Sequence, residues 1–135
     1  MTLSVEDRWA IAQLISWHGH LADSRELDRF EELFTPDAVF DLEDVGAGTV
    51  EGLAALSRLA DAIVEHPVGH HVTNIVLTPG GDDRVHARSK GIAVHADGRC
   101  GSVTYEDTVE RRPRGWRITH RRVTARRPAG AAGAD

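Results

Sequence analysis

The residues best suited to chemistry in this chain are one aspartate and a set of histidines. Asp23 follows an apolar stretch, and His70 and His71 open a later run of alternating residues. An aspartate beside a histidine suits acid–base catalysis near neutral pH, because the carboxylate fixes the imidazole tautomer and raises its basicity. His70 and His71 must face opposite sides of a strand, and the alternation around them does not decide which points inward. Asp23 with His71 fits this chemistry if the fold brings them together.

A third histidine is predicted to lie inside the protein. At 100° per residue, His18 falls on the same helical face as Leu14, Ile15 and Ala22. An imidazole on that face must be hydrogen-bonded, since an unpaired polar group out of water costs on the order of 1–3 kcal/mol. His18 is therefore expected to have a polar partner elsewhere in the chain.

The stretch 101–112 alternates in the manner of a strand. Val103, Tyr105, Asp107 and Val109 share one face, and the valines indicate that this face is buried. A buried carboxylate beside a phenol is unusual enough to suggest function. A hydrogen-bonded pair that only joins the sheet to a helix explains it equally well.

Composition narrows the class of protein. The chain has 135 residues, which suits one domain with one core, predicted to cover residues 1–127. Its single cysteine, Cys100, excludes an internal disulfide and a cysteine-based zinc site, which favours the cytoplasm. Glu6, Asp7 and Arg8 interrupt any signal-peptide core, and no apolar run approaches the roughly 20 residues of a membrane helix.

The charge of the chain is unevenly distributed. Residues 1–65 contain 14 acids and 4 bases, residues 66–135 contain 7 acids and 12 bases, and eight arginines lie between Arg111 and Arg127. Such a run suits a nucleic-acid or anion surface. Because the arginines alternate with Ile118, His120 and Val123, we favour a solvated sheet face that meets the acidic helices of the same fold. We interpret His120 as a core or interface histidine.

The hydrophobic spacing predicts helices first and long strands afterwards. The helices are expected at residues 5–21, 26–34 and 53–64. The strands are expected at residues 38–42, 71–77, 85–95, 101–112 and 116–126, with residues 46–48 as a loop. This order indicates an α+β domain with one strongly curved sheet, followed by a disordered tail at residues 128–135.

Taken together, these elements resemble a SnoaL-like domain of the nuclear transport factor 2-like superfamily over residues 3–126. The residues that carry the resemblance are Ala22 to Ala38, Gly52, Gly69 to Asn74, Tyr105 to Asp107 and Gly115 to Ile118. The resemblance implies a cone-shaped, curved antiparallel or mixed sheet closed by three helices from the N-terminal half. It also implies a deep apolar pocket and a homodimer.

The superfamily includes polyketide cyclases, dehydratases, steroid isomerases, epoxide hydrolases and proteins that only bind. Its dehydratases use an aspartate at the end of the first helix and a histidine at the start of a strand, positions that Asp23 and His71 match. Several also have a tyrosine five residues before the aspartate, where this chain has His18. Asp107 matches an acidic residue on the inner strand of some dehydratases.

These features predict a cofactor-independent enzyme that dehydrates, isomerises or cyclises a small hydrophobic carbonyl compound, polyketide- or steroid-like, through an enolate. In this hypothesis Asp23 and His71 form the acid–base couple, His18 and Tyr105 hydrogen-bond the substrate oxygen, and Asp107 orients one histidine. No cofactor, metal, nucleic acid or membrane is expected as a partner. The alternatives are a ligand-binding or dimerisation module of the same fold, an epoxide hydrolase, or a metal site formed by His18, Asp23, His71 and Asp107.

Overall fold

A computed structural model describes residues 2–128 and confirms an α+β fold with one six-stranded mixed sheet. The helices are α1 (Val5–Asp23), a 3₁₀ helix (Leu27–Glu32), a short 3₁₀ turn (Glu43–Val45) and α2 (Leu53–Ala62). The strands are β1 (Phe34–Leu42), β2 (Gly48–Glu51), β3 (Gly69–Pro79), β4 (Arg84–Val94), β5 (Cys100–Arg112) and β6 (Gly115–Ala125). The predicted disordered tail lies outside the described residues except for Pro128.

The strand order is β2-β1-β6-β5-β4-β3. Neighbouring strands are antiparallel except β1 and β6, which run parallel. Helix α1 packs across the start of β3 at one edge of the sheet, and α2 packs on β1 near the opposite edge of the same face. The core lies between the helices and the sheet, and its fully buried side chains include Ile11, Ile15, Leu21, Phe34, Val85, Val109 and Ile118.

Helix α1 is fixed at its first turn by polar contacts. Ser4 caps the helix, because its hydroxyl accepts the backbone N–H of Asp7 at 3.0 Å. The Asp7 carboxylate in turn accepts hydrogen bonds from the indole of Trp116 and the guanidinium of Arg111, each at 3.1 Å. These contacts tie the start of α1 to the hairpin between β5 and β6.

Two β-bulges change which residues face the interior. In β3, the pairing with β4 gains one residue between Thr73 and Val76, where Asn74 adopts a φ of 57°. In β6, the pairing with β5 gains one residue between Ile118 and His120. Because side chains alternate strictly along a strand, each extra residue exchanges the inward and outward positions beyond it.

The region around β1 differs from the prediction. The expected helix over residues 26–34 is a shorter 3₁₀ helix, and Phe34 instead begins β1 opposite Ile118. Pro36 falls where the pairing of β1 with β6 is interrupted, as expected for a residue without a backbone N–H. Gly48, the last residue of the predicted loop, begins β2, which the sequence did not predict and which pairs with the outer edge of β1.

The arginine-rich segment is largely matched by acids of the same chain. The ion pairs join Arg111 to Asp7 and Asp83, Arg122 to Asp41, and Arg127 to Asp44. These pairs lie at the surface, where each contributes little to stability. Arg121 differs from them, because its side chain is buried.

Candidate active site

An apolar cavity of about 330 Å³ lies between the helices and the inner face of the sheet. Much of its wall is formed by Phe30, Phe34, Phe40, Leu56 and Val123. The polar side chains that line it are His18, His70, Tyr105 and Arg121, with Arg25 and His66 also in the lining. An apolar cavity with a few converging polar groups is the usual form of a small-molecule site.

The Asp23 carboxylate holds His70 at the edge of this cavity. Nδ1 of His70 lies 2.6 Å from one carboxylate oxygen, and the backbone N–H of His70 donates to the other at 3.1 Å. Because a carboxylate only accepts hydrogen bonds, the neutral ring carries its proton on Nδ1 and leaves a lone pair on Nε2. Nε2 makes no hydrogen bond within residues 2–128, so His70 can act as a base toward a bound molecule.

A close approach of α1 to β3 brings these two residues together. Asp23 is the last residue of α1, and His70 is the second residue of β3. A Cβ on Gly19, one turn before Asp23, would lie 2.5 Å from the carbonyl oxygen of His70. Only glycine permits this spacing without a shift of the helix.

The prediction that His71 partners Asp23 is wrong. His71 is exposed and lines a separate cleft of about 280 Å³ between α1 and β3. Without a bulge, strict alternation would place Ile75 and Leu77 on the same side of β3 as His71. The bulge at Asn74 instead places them on the same side as His70 and Val72. Asp23 and His70 line this outer cleft as well, so the pair lies between the cleft and the cavity.

His18 is partly buried beside the pair, on the inward face of α1 that its helical position predicts. Its ring centre lies 6.2 Å from that of His70 and 5.9 Å from that of Tyr105. The predicted hydrogen bond is absent at Nδ1, which is buried and has no partner among the described residues. Burial, assisted by repulsion from Arg121 and His70, holds the pKa of His18 well below its usual range, so this imidazole is neutral at neutral pH.

Tyr105 points inward, as its position in β5 predicts. Its ring lies against Gly91 on β4, where a Cβ would come within 2.4 Å of the ring. Burial raises the pKa of the phenol, and the nearby Arg121 only partly offsets this, so the hydroxyl remains protonated. That hydroxyl makes no hydrogen bond within residues 2–128 and is available as a donor to a ligand.

Asp107 is buried as predicted, but it does not orient a histidine. Its two oxygens accept hydrogen bonds from Nε and Nη2 of Arg121 at 2.7 and 2.8 Å. Burial acts to lower the pKa of Arg121, yet the Asp107 carboxylate outweighs it and the pKa is raised, so the guanidinium stays charged. The bulge in β6 sets Arg121 opposite Asp107 and leaves His120 exposed. This excludes the core alternative for His120, and the interface alternative stays a prediction.

Three residues of the cavity were missed from the sequence. Arg121 was predicted to belong to the arginine-rich surface. The predicted burial of Asp107 was the available indication of a cation opposite it, because a buried carboxylate needs a partner. Arg25 and His66 meet where the 3₁₀ helix and the segment before β3 approach each other, with Nη1 of Arg25 at 3.2 Å from Nδ1 of His66. No sequence motif marks either of these two residues.

The described residues contain neither a metal-binding cluster nor a membrane-spanning helix. Within residues 2–128, no three His, Cys, Asp or Glu side chains are grouped so that they could hold a metal ion. Asp107, one of the four residues of the alternative metal site, forms an ion pair with Arg121 instead. Over the same residues, no helix is long and apolar enough to cross a membrane.

Comparison with known families identifies the class of protein. The model of the SnoaL-like domain family matches residues 3–122, and the chain belongs to this family. An uncharacterized protein of Mycobacterium tuberculosis, Rv2910c, is 31% identical over 127 positions, covering 87% of this chain and 84% of the relative.

Solved structures agree with this assignment of the fold. An NTF2-like protein with a cystatin-like fold from Novosphingobium aromaticivorans is 29% identical, with a TM-score of 0.78 and coverage of 95% of this chain and 87% of that protein. A hexachlorocyclohexane dehydrochlorinase, LinA type 2, is 22% identical, with a TM-score of 0.75 and coverage of 91% and 87%. Homodimerisation and a cytoplasmic location stay predictions.

Proposed function

We propose that this protein is a cofactor-independent acid–base enzyme that acts on a small hydrophobic carbonyl compound. The observation that carries the proposal is the Asp23–His70 pair, because one ring nitrogen is held by a carboxylate while the ring itself lines an apolar cavity. This arrangement combines an oriented base with a mostly apolar binding site. The SnoaL-like fold supports the proposal without specifying the reaction.

In the proposed mechanism, Nε2 of His70 removes a proton from the carbon beside the substrate carbonyl. The Asp23 carboxylate stabilises the imidazolium that forms and keeps the ring in position. The hydroxyl of Tyr105 donates a hydrogen bond to the oxygen of the resulting enolate, and the neutral imidazole of His18 lies beside it. These roles for Tyr105 and His18 are those predicted from the sequence.

The fate of the proton on His70 determines the product. Its return to a different carbon gives isomerisation, and its transfer to a departing hydroxyl gives dehydration. Attack of the enolate carbon on a second carbonyl gives ring closure, in which the alkoxide formed takes the proton back from His70. Each outcome uses the same base and the same enolate. The shape of the cavity, set by Phe30, Phe34 and Phe40, determines which atoms of the substrate reach His70.

The direct test is proton exchange catalysed by the purified protein in D₂O. A panel of enolisable ketones, including 2-tetralone and cyclic β-diketones, is incubated with the protein, and deuterium incorporation is followed by NMR. We expect His70→Gln and Asp23→Asn to lower the exchange rate by about 10²–10⁴-fold, the usual contribution of a positioned base. Thermal unfolding of both variants should remain close to that of the wild type.

His71→Gln is the matched control, since His71 is the adjacent residue of the same type but lies outside the cavity. It should exchange protons at the wild-type rate. An active His70→Gln variant, or equal losses in the His70 and His71 variants, contradicts the proposed base. Tight binding of these ketones with no exchange would instead identify a ligand-binding module of the same fold.

A further inference from the structure

Arg121 has more hydrogen-bonding capacity than the protein uses. Its side chain is 3% exposed, and Asp107 occupies Nε and Nη2. The remaining nitrogen, Nη1, is buried and has no partner within residues 2–128. A charged donor left unpaired in a protein interior is costly, and such donors are usually explained by a ligand or a catalytic role.

The unpaired nitrogen belongs to a group of donors that line the same cavity. The guanidinium carbon of Arg121 lies 4.2 Å from the ring centre of Tyr105, whose hydroxyl is also without a partner among the described residues. His18 adjoins Tyr105 and carries an unpaired Nδ1. Of the other polar side chains in the lining, Arg25 contacts His66 and Asp61, and His70 is held by Asp23. The buried polar atoms without a partner are therefore gathered at this one place.

The charges of the site indicate what kind of acceptor fits. The positive charge of Arg121 is already balanced by Asp107, so an anion arriving from water would bring an uncompensated charge into the cavity. A neutral acid that gives its proton to His70 avoids this problem, because the imidazolium formed beside Asp23 balances the new anion. The favoured guest is therefore neutral when it enters and negative once bound.

We infer that Nη1 of Arg121 and the hydroxyl of Tyr105 form an oxyanion-binding subsite, held in place by Asp107, for planar phenols and enols that bind as their conjugate bases. This inference deepens the proposed function, on which it rests for the identity of the base. It assigns Arg121 to ligand binding and Asp107 to positioning. A cavity of about 330 Å³ limits the ligand to a compact molecule.

The test uses 4-nitrophenol, whose anion has its own visible absorption band, and nitrobenzene, which has nearly the same shape without the hydroxyl. Both are titrated with the wild-type protein at a pH where free 4-nitrophenol is half ionised. We expect the bound dye to be mainly phenolate and nitrobenzene to bind about tenfold or more weakly, as a lost hydrogen bond to a charged donor implies. Equal binding of the two compounds, or a bound dye that stays protonated, overturns the inference.

Variants identify the donor. The double variant Asp107→Leu/Arg121→Met replaces the ion pair with apolar side chains and should lose the preference for phenolate, as should Tyr105→Phe in part. Arg122→Met, at the exposed neighbouring arginine, is the matched control and should keep it. A folded double variant that still binds phenolate selectively contradicts the role of Arg121. If the double variant does not fold, the subsite is tested by the difference between 4-nitrophenol and nitrobenzene in binding to the wild type.

Two results on the wild type separate this inference from the proposed function. Phenolate binding without ketone exchange in the wild type would overturn the enzyme proposal and leave the subsite standing. Ketone exchange without any preference for phenolate would do the reverse.

Discussion

Two carboxylates serve this molecule in opposite ways. Asp23 binds His70 at 2.6 Å where the two side chains remain 31% and 24% exposed. Asp107 binds Arg121 at 2.7 Å where both are almost completely buried, at 0% and 3%. The distances are nearly equal, so the difference lies in the partner and its access to water.

The partner determines whether the pair can move a proton. An imidazole gains and loses a proton near neutral pH, and the outer cleft beside Asp23 gives the pair contact with solvent. A guanidinium stays protonated under all physiological conditions. One pair is therefore suited to proton transfer, and the other is a fixed charge distribution that can only orient and bind.

The largest effect on stability is expected from breaking the buried pair on one side. Arg121→Met leaves the Asp107 carboxylate without a partner in the core, which should lower the free energy of unfolding by about 3–5 kcal/mol. Asp107→Leu/Arg121→Met removes both charges and should recover most of this loss. Urea denaturation of the single and double variants measures both values, and a double variant as unstable as the single one contradicts this account.

A smaller effect is expected from separating the exposed pair. Gly19→Ala forces α1 away from the His70 carbonyl and should cost about 1–3 kcal/mol, as overpacking does, although alanine favours helix formation. The ketone exchange rate should fall with it, because Asp23 moves with the helix. Ser16→Ala, at an exposed position on the same helix, is the control for the change in helix propensity.

The smallest effect concerns His18, which lies in the same cavity. The pKa of His18 is lowered in the folded protein from its ordinary value of 6.5. Below pH 6.5 the unfolded chain therefore binds a proton at this imidazole more readily than the folded protein does. The neutral His18 contributes fully to the free energy of unfolding above about pH 6.5. As the pH falls toward the lowered pKa, this contribution is lost at about 1 kcal/mol per pH unit.

Urea denaturation of the wild type and the His18→Leu variant at several pH values between 7.5 and 5 measures this contribution of His18 to stability. The wild type should lose stability relative to the His18→Leu variant as the pH falls. An unchanged difference across this range would show that His18 is readily protonated in the folded state.

The sequence was sufficient for most elements and for the inward direction of several side chains. Helical periodicity placed His18 on the buried face of α1, and strand alternation placed Tyr105 and Asp107 inside. Both features depend on spacing within one element. They survive because no irregularity interrupts α1 or the stretch of β5 that carries the tyrosine and the aspartate.

The partners of Asp23 and Asp107 could not be predicted from spacing within one element. The partner of Asp23 is His70 and not His71, because one extra residue in β3 exchanges the faces of that strand. The partner of Asp107 is Arg121 and not a histidine, because one extra residue in β6 has the same effect there. Asn74 gives a weak signal of the first bulge, since asparagine tolerates positive φ. Nothing in the β6 sequence marks the second, which depends on long-range pairing.

The contact between Gly91 and the Tyr105 ring makes the cavity sensitive to a residue that does not line it. Any side chain acquired at position 91 would occupy the volume of the phenol and oblige that ring to turn. The hydroxyl would then point elsewhere while every residue touching the ligand kept its identity. Related proteins could in this way diverge in substrate choice through a single change on β4, and a comparison of lining residues alone would overlook it.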